Sequence, residues 1–297
     1  MNNFLLSLIV CLDEDSIEYE YYEKTLAEFA DGFGFHLQIE GSPFRYKNLE
    51  KILDLCNKIK ITNIGIRTNE KITKEKIDML KKYNIRSIMY RYDNENTQDN
   101  LKITEENDFP VEISVILDKD NIKKIDNIIK EAELNEISIL VLERSIISKY
   151  RNKEVNPLER ADYKYIMEKI SQYNKEVNKI GIALSHCPNK ILLHPERKTD
   201  NSGGCSAGVI SCAIDNKGNV IPCLALHKII AGNIKENSIK CIWDNSKVFK
   251  SLRDKSKLEG KCKLCQYKNS CGGCRAESYY KDNNLYGEDD TCWIDLI

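Results

Sequence analysis

Residues 205–223 read CSAGVISCAIDNKGNVIPC and residues 262–274 read CKLCQYKNSCGGC, with one further cysteine at Cys292. Two apolar runs, 209–214 and 220–224, flank Asp215-Asn216-Lys217-Gly218, a turn whose glycine suits a positive φ. The spacing predicts a β-hairpin. Cys205, Cys212 and Cys223 lie on or beside it, Cys262 and Cys265 form one CxxC pair, and Cys271 and Cys274 form a second. With Cys292 the set is eight thiols, enough to close two four-thiolate centres. A CxxC loop presents two sulfurs to one centre, and Gly272 and Gly273 let the backbone come close where a Cβ would crowd.

Of twelve cysteines, only Cys11, Cys56 and Cys187 fall in the first 200 residues. The apolar stretch 4–10 is too short for a membrane span, has no basic residue before it and runs into the acidic segment 13–20. It reads as a buried strand, and the protein as cytoplasmic. In a reducing compartment a local cysteine cluster points to metal rather than disulfides. Iron-sulfur clusters and a pair of structural zinc sites draw on the same thiolates. Cys11, Cys56, Cys187 and Cys241 fall outside the pattern and read as inert thiols.

The 45 basic and 46 acidic residues nearly cancel, so no strong field points to nucleic acid or an anionic membrane. A hydrophobic fraction of 41% over 297 residues allows one large domain or two ordinary ones. Short apolar runs at 4–10, 35–39, 63–67, 87–90, 111–116 and 138–142 read as strands. Apolar residues at three- and four-residue intervals over 17–30, 49–59, 74–82, 121–131 and 163–173 read as helices. Strand-helix alternation predicts a parallel α/β sheet or barrel, and six strands suffice for an open, partial (β/α)6 TIM-like barrel. Residues 188–204 lose the pattern, which predicts a barrel over 1–195 and a small cysteine-rich domain over 196–297.

The run Cys205-x12-Gly218-x4-Cys223, then CxxC, x5, Cys and a closing cysteine, resembles the SPASM domain of the radical S-adenosylmethionine (SAM) enzymes that modify peptides and proteins. Ala213-Ile214-Asp215, Asn219-Val220, Pro222-Cys223, Gly232-Asn233-Ile234 and Ile242-Trp243 fall in that family's order over residues 203–297. The resemblance implies two auxiliary [4Fe-4S] clusters, one on Cys205, Cys212, Cys223 and Cys274, the other on Cys262, Cys265, Cys271 and Cys292. The family usually has three residues, not two, between the cysteines matching Cys271 and Cys274, which bears on the pairing of Cys274. Residues 1–150 are similar to the same superfamily's partial barrel: Ile39-Glu40-Gly41-Ser42-Pro43-Phe44 stands at a GGEP segment, Thr68-Asn69 at a TN pair, Tyr92-Asp93 near an SxD strand end, and residues 115–125 match a strand and helix start.

Against that family the chain breaks twice. Its SAM-binding cluster needs CxxxCxxC, and here only Cys11 is present, with Asp15 and Glu18 at the other two places. Carboxylates are hard ligands, poorly matched to iron-sulfur clusters. The glutamate of GGEP, which pairs with the SAM amino group, is Ser42, with Glu40 two positions earlier. A neutral hydroxyl cannot supply that charge-assisted bond. The bland reading of Asp15 and Glu18 is a solvated first turn of the 17–30 helix, near its positive dipole end.

The resemblance therefore implies two [4Fe-4S] clusters without SAM cleavage, in a non-catalytic partner of an active radical SAM maturase. That partner would hold a peptide or protein substrate, scaffold a complex or pass electrons. Two alternatives stay open: an active radical SAM-type enzyme using a non-standard cluster on Cys11, Asp15 and Glu18, and a zinc-stabilised binding protein. His36, His186, His194 and His227 form no metal-ligand pair, and Trp243 and Trp293 read as covers for the clusters or as small-core residues.

Overall fold

Leu8, Val10 and Leu12 alternate with less buried neighbours along the first strand, β1 (Ser7–Leu12), as a strand with one face turned to the core requires. The computed structural model describes residues 4–32, 34–146, 156–176, 179–185 and 204–293. The chain divides into two compact units, one of residues 1–112 with 206–253 and the other of residues 113–205 with 254–297.

In the first unit, β1, β2 (His36–Gly41), β3 (Ile64–Thr68) and β4 (Ile85–Arg91) pair in parallel, each with its neighbour. Three helices connect them: α1 (Tyr19–Asp31), α2 (Leu49–Lys58) and α3 (Lys74–Leu80). Tyr22, Leu26 and Phe29 of α1, and Ile52, Leu53 and Cys56 of α2, place apolar side chains on one face and are almost fully buried. A further helix, α4 (Thr97–Glu105), follows β4. It was not expected from the sequence, because its buried residues are Thr97, Asn100 and Thr104, which leave no apolar period. Asn100 holds it in place, accepting from the Ile72 amide at 2.8 Å and donating to the Glu70 carbonyl at 2.9 Å.

The predicted hairpin is present in this unit. Its strands β8 (Ser211–Ile214) and β9 (Asn219–Ile221) are antiparallel, and a two-residue strand, β10 (Gly232–Asn233), pairs with β9. Gly218 has φ +85, and Asp215 Oδ1 accepts from the amides of Lys217 and Asn219 at 2.9 and 2.8 Å. The strand β8 also lies parallel against β1, with Cys212 opposite Leu8, so the strand order is β10-β9-β8-β1-β2-β3-β4.

In the second unit the order is β5-β6-β7, from β5 (Val111–Leu117, whose first two residues belong to the first unit), β6 (Ile139–Arg144) and β7 (Gly181–Ser185). Strands β6 and β7 are parallel. The short β7 begins on a glycine and alternates exposed and buried residues, and it was not expected. Helix α5 (Ile125–Leu134) and the helix Arg160–Glu176 belong to the same unit, as do the short helices Gly260–Leu264 and Arg275–Asp282 of the cysteine-rich segment. Cys187, His186, His194 and most of 188–204 lie outside the described residues.

Candidate iron-sulfur centres and the β1–α1 segment

The parallel register sets Cys11 on β1 opposite Glu40 on β2, and Glu40 opposite Arg67 on β3. The half-buried Cys11 thiol is pushed up to about 12, first by burial and then by the charges of Glu40, Asp215 and Asp13. Asp15 is exposed in a turn, and Glu18 is exposed at the residue before α1, with no side-chain cap bond. The helix starts two residues later than the spacing suggested, because the turn before it is tied down elsewhere. The Asp13 amide donates to Ser16 Oγ at 2.8 Å, Asn216 donates to Asp13 Oδ2 at 2.8 Å, and the Ile17 amide donates to the Asn216 carbonyl at 3.0 Å.

Gly41 has φ +97, and a Cβ there would stand 2.7 Å from the Leu12 carbonyl oxygen. Only glycine fits that close approach. The Ser42 amide donates to the same carbonyl at 2.8 Å, and Ser42 leads into a 3-10 turn, Pro43–Arg45, without a side-chain cap bond. Thr68 Oγ1 at the end of β3 donates to the Gly41 carbonyl at 3.1 Å, and Arg91 at the end of β4 binds Asp93 through two nitrogens at 3.1 and 2.8 Å.

Two of the eight candidate ligands, Cys212 and Cys223, lie in the first unit. Cys212 is fully buried on β8, and burial raises its thiol while the nearby Arg253 opposes the shift. Arg253 lies across the Trp243 ring at 4.2 Å and donates through Nε to the Gly208 carbonyl at 2.8 Å and through Nη1 to the Trp243 carbonyl at 2.9 Å. Its buried Nη2 has no partner among the described residues. Trp243 also packs on Phe249 at 5.0 Å, so it fills a small core in this unit.

The other six, Cys205, Cys262, Cys265, Cys271, Cys274 and Cys292, lie in the second unit. The Cys205 amide donates to the Cys271 carbonyl at 3.2 Å. Gly272 and Gly273 both take positive φ, and a Cβ on Gly273 would come within 3.2 Å of Cys262 Sγ. Backbone amides already point at sulfur, from Gly273 to Cys271 and from Tyr267 to Cys265, both at 3.4 Å. Burial raises the Cys271 thiol, the Gly273 amide opposes the shift, and the neighbouring Asp289, Cys292 and Cys262 add to the rise. Burial likewise raises Cys274, with Arg144 opposing and Asp289 and Cys205 adding to the rise. Such thiols ionise only when a metal takes the place of the proton, so the donors fit a thiolate-held centre. Among the described residues no group of three or more His, Cys, Asp or Glu is gathered as a single ion requires.

A buried ionic knot, absent from the sequence reading, braces Cys274. Arg144 at the end of β6 meets both Asp289 oxygens at 3.2 and 3.3 Å, donates to Thr291 Oγ1, lies 3.6 Å from Glu277 and stacks on Tyr163 at 5.0 Å. Asp289 in turn accepts from the Cys274 amide at 2.9 Å. Burial alone would raise the Asp289 carboxyl, but Arg144 and these hydrogen bonds outweigh it and hold the group well below the usual carboxylate range. The sequence signal available was a charged residue ending an apolar strand.

Residues 205–274 match the SPASM family, described as an iron-sulfur cluster-binding domain. The chain thus carries that domain and resembles the radical SAM/SPASM family. Over 213 residues, 67% of this chain and 60% of the other, it is 29% identical to the AdoMet-dependent heme synthase of Methanosarcina barkeri. It is 36% identical to the mycofactocin maturase MftC of Mycolicibacterium smegmatis over 92 residues, 30% of this chain and 23% of that one. The chain therefore spans less than two thirds of the curated relatives it matches. Among solved structures it is similar to Streptococcus suis SuiB bound to S-adenosylmethionine, with a TM-score of 0.78 and 19% identity over 98% of this chain and 78% of that one. SuiB bound to the precursor peptide SuiA gives a TM-score of 0.77 at 18% identity, over 98% of this chain and 76% of that one. These likenesses establish the fold as the expected α/β partial-barrel type with a SPASM domain. No helix among the described residues is long and apolar enough to cross a membrane.

Proposed function

We propose that the chain is an iron-sulfur protein of the radical SAM/SPASM maturase type that holds two [4Fe-4S] clusters and has lost the SAM-cleaving one. The first cluster would be on Cys205, Cys212, Cys223 and Cys274, and the second on Cys262, Cys265, Cys271 and Cys292. Such clusters supply one-electron transfer or brace the fold. In this reading the chain works in the cytoplasm as a non-catalytic partner of an active maturase, binding a peptide or protein substrate, scaffolding the complex or carrying electrons. Its domains would be a barrel over 1–195 and the cluster domain over 196–297. That MftC is named a maturase and that SuiB was seen with a precursor peptide support a peptide substrate.

The observation that carries this reading is the β1–α1 segment, where a single half-buried thiol, Cys11, stands with two solvent-exposed carboxylates, Asp15 and Glu18. Anaerobic incubation of reconstituted protein with dithionite and SAM tests it. No 5'-deoxyadenosine is expected, and its formation would sink the non-catalytic reading. A second reading, an active enzyme on a non-standard cluster, is favoured by the relative named AdoMet-dependent and by the SAM bound to SuiB, and the same assay decides between them.

A further inference from the structure

Arg275 follows Cys274 directly and is 2% exposed. Its Nη1 donates to the carbonyls of Leu285 and Gly287 at 3.0 and 2.9 Å, but the buried Nη2 has no partner among the described residues. A Cβ placed on Gly273 would fall 2.6 Å from that Nη2, 3.0 Å from Asp289 Cβ and 3.2 Å from Cys262 Sγ, so the orphaned donor and the sulfur crowd the same side of the Gly273 backbone. Lys255 reaches the neighbouring glycine. A Cβ on the adjacent Gly272 would fall 2.7 Å from Lys255 Nζ, and the electrostatic neighbours of that ammonium are Cys205, Arg275, Cys271 and Cys262. Neither cation makes an ion pair among the described residues.

The nearby Asp289 is taken up by Arg144, and two like charges that are buried or half-buried without an ion pair repel each other unless an anion lies near both. A cubane on four thiolates carries net negative charge, and its potential responds to nearby charge and to hydrogen bonds on its sulfurs. We propose that Arg275 and Lys255 form a cationic lining for the cluster of Cys262, Cys265, Cys271 and Cys292, Arg275 donating to sulfur through Nη2, and that together they raise its reduction potential. The proposal rests on the cluster reading above and adds to it the residues that set the potential.

The test is an EPR-monitored redox titration of the anaerobic full chain as wild type, Lys255→Gln, Lys255→Arg and Arg275→Gln, with iron and sulfide counted on each. In Lys255→Gln, with iron content unchanged, one of the two midpoints should fall by about 59 mV, a tenfold change for one electron. Lys255→Arg should keep the wild-type value, and Arg275→Gln should lower the same midpoint. If Arg275→Gln sheds iron because its carbonyl bonds are lost, Lys255→Gln alone decides. Iron-loaded Lys255→Gln with both midpoints at wild-type values overturns this inference and leaves the cluster reading standing. Wild-type protein without iron and sulfide overturns both.

Discussion

Arg144 shows how a single buried charge can hold a candidate ligand in place. It binds Asp289, and Asp289 accepts the Cys274 amide, so the strand end, the acid and the cysteine loop form one hydrogen-bonded chain. Removing one partner of such a pair leaves a buried uncompensated charge. Arg144→Ala should cost about 3–5 kcal/mol, read as a lower urea midpoint, whereas a change under about 1 kcal/mol would mean that the pair is not structural. Thiol reactivity gives a second test at this scale. Cys241 is exposed, while the Cys11 thiol is pushed up to about 12. At pH 8 iodoacetamide should label Cys241 in folded protein and leave Cys11 unmodified. Labelling of Cys11 would contradict its assignment as an inert, protonated group. The sequence reads Cys11 and Cys241 alike as inert, partly buried thiols; Cys241 is instead exposed on its helix, and the Arg144–Asp289 pair leaves no local mark because its partners lie far apart in sequence.

At the scale of elements, apolar periodicity found the first three helices and the hairpin, where spacing and burial agree. It missed α4, which docks by side-chain hydrogen bonds rather than an apolar stripe, and β7, which is short and starts on glycine. If α4 is held by Asn100, then Asn100→Ala, which leaves the Ile72 amide and the Glu70 carbonyl without their partner, should cost roughly 1–3 kcal/mol in chemical denaturation. A neutral substitution would mean that α4 is placed by something else. The hairpin carries a lesson of its own. Its turn chemistry was plain in the sequence, but its parallel pairing with β1, more than 190 residues earlier, was not, since register between distant strands leaves no local mark.

At the scale of the whole molecule, the cysteine spacing made the iron-sulfur domain legible, and the family match over 205–274 agrees with it. Less legible was the setting of those cysteines. The candidate ligands divide between two compact units, two in one and six in the other, and spacing along the chain gives no hint of that division. The orphaned guanidinium nitrogens of Arg253 and Arg275, each beside a cysteine, became visible only in three dimensions. If clusters are bound there, their loss should be felt as a folding event as well as a loss of colour, since metal binding and folding are coupled at a thiolate site.

The most direct measurement is the iron and acid-labile sulfide content of anaerobically purified chain, alongside Cys262→Ala and Cys11→Ala. Two cubanes require about eight irons per chain with broad absorbance near 400 nm, a lower count in Cys262→Ala and an unchanged one in Cys11→Ala. About twelve irons, a loss of iron in Cys11→Ala, or colourless protein carrying zinc would contradict the account.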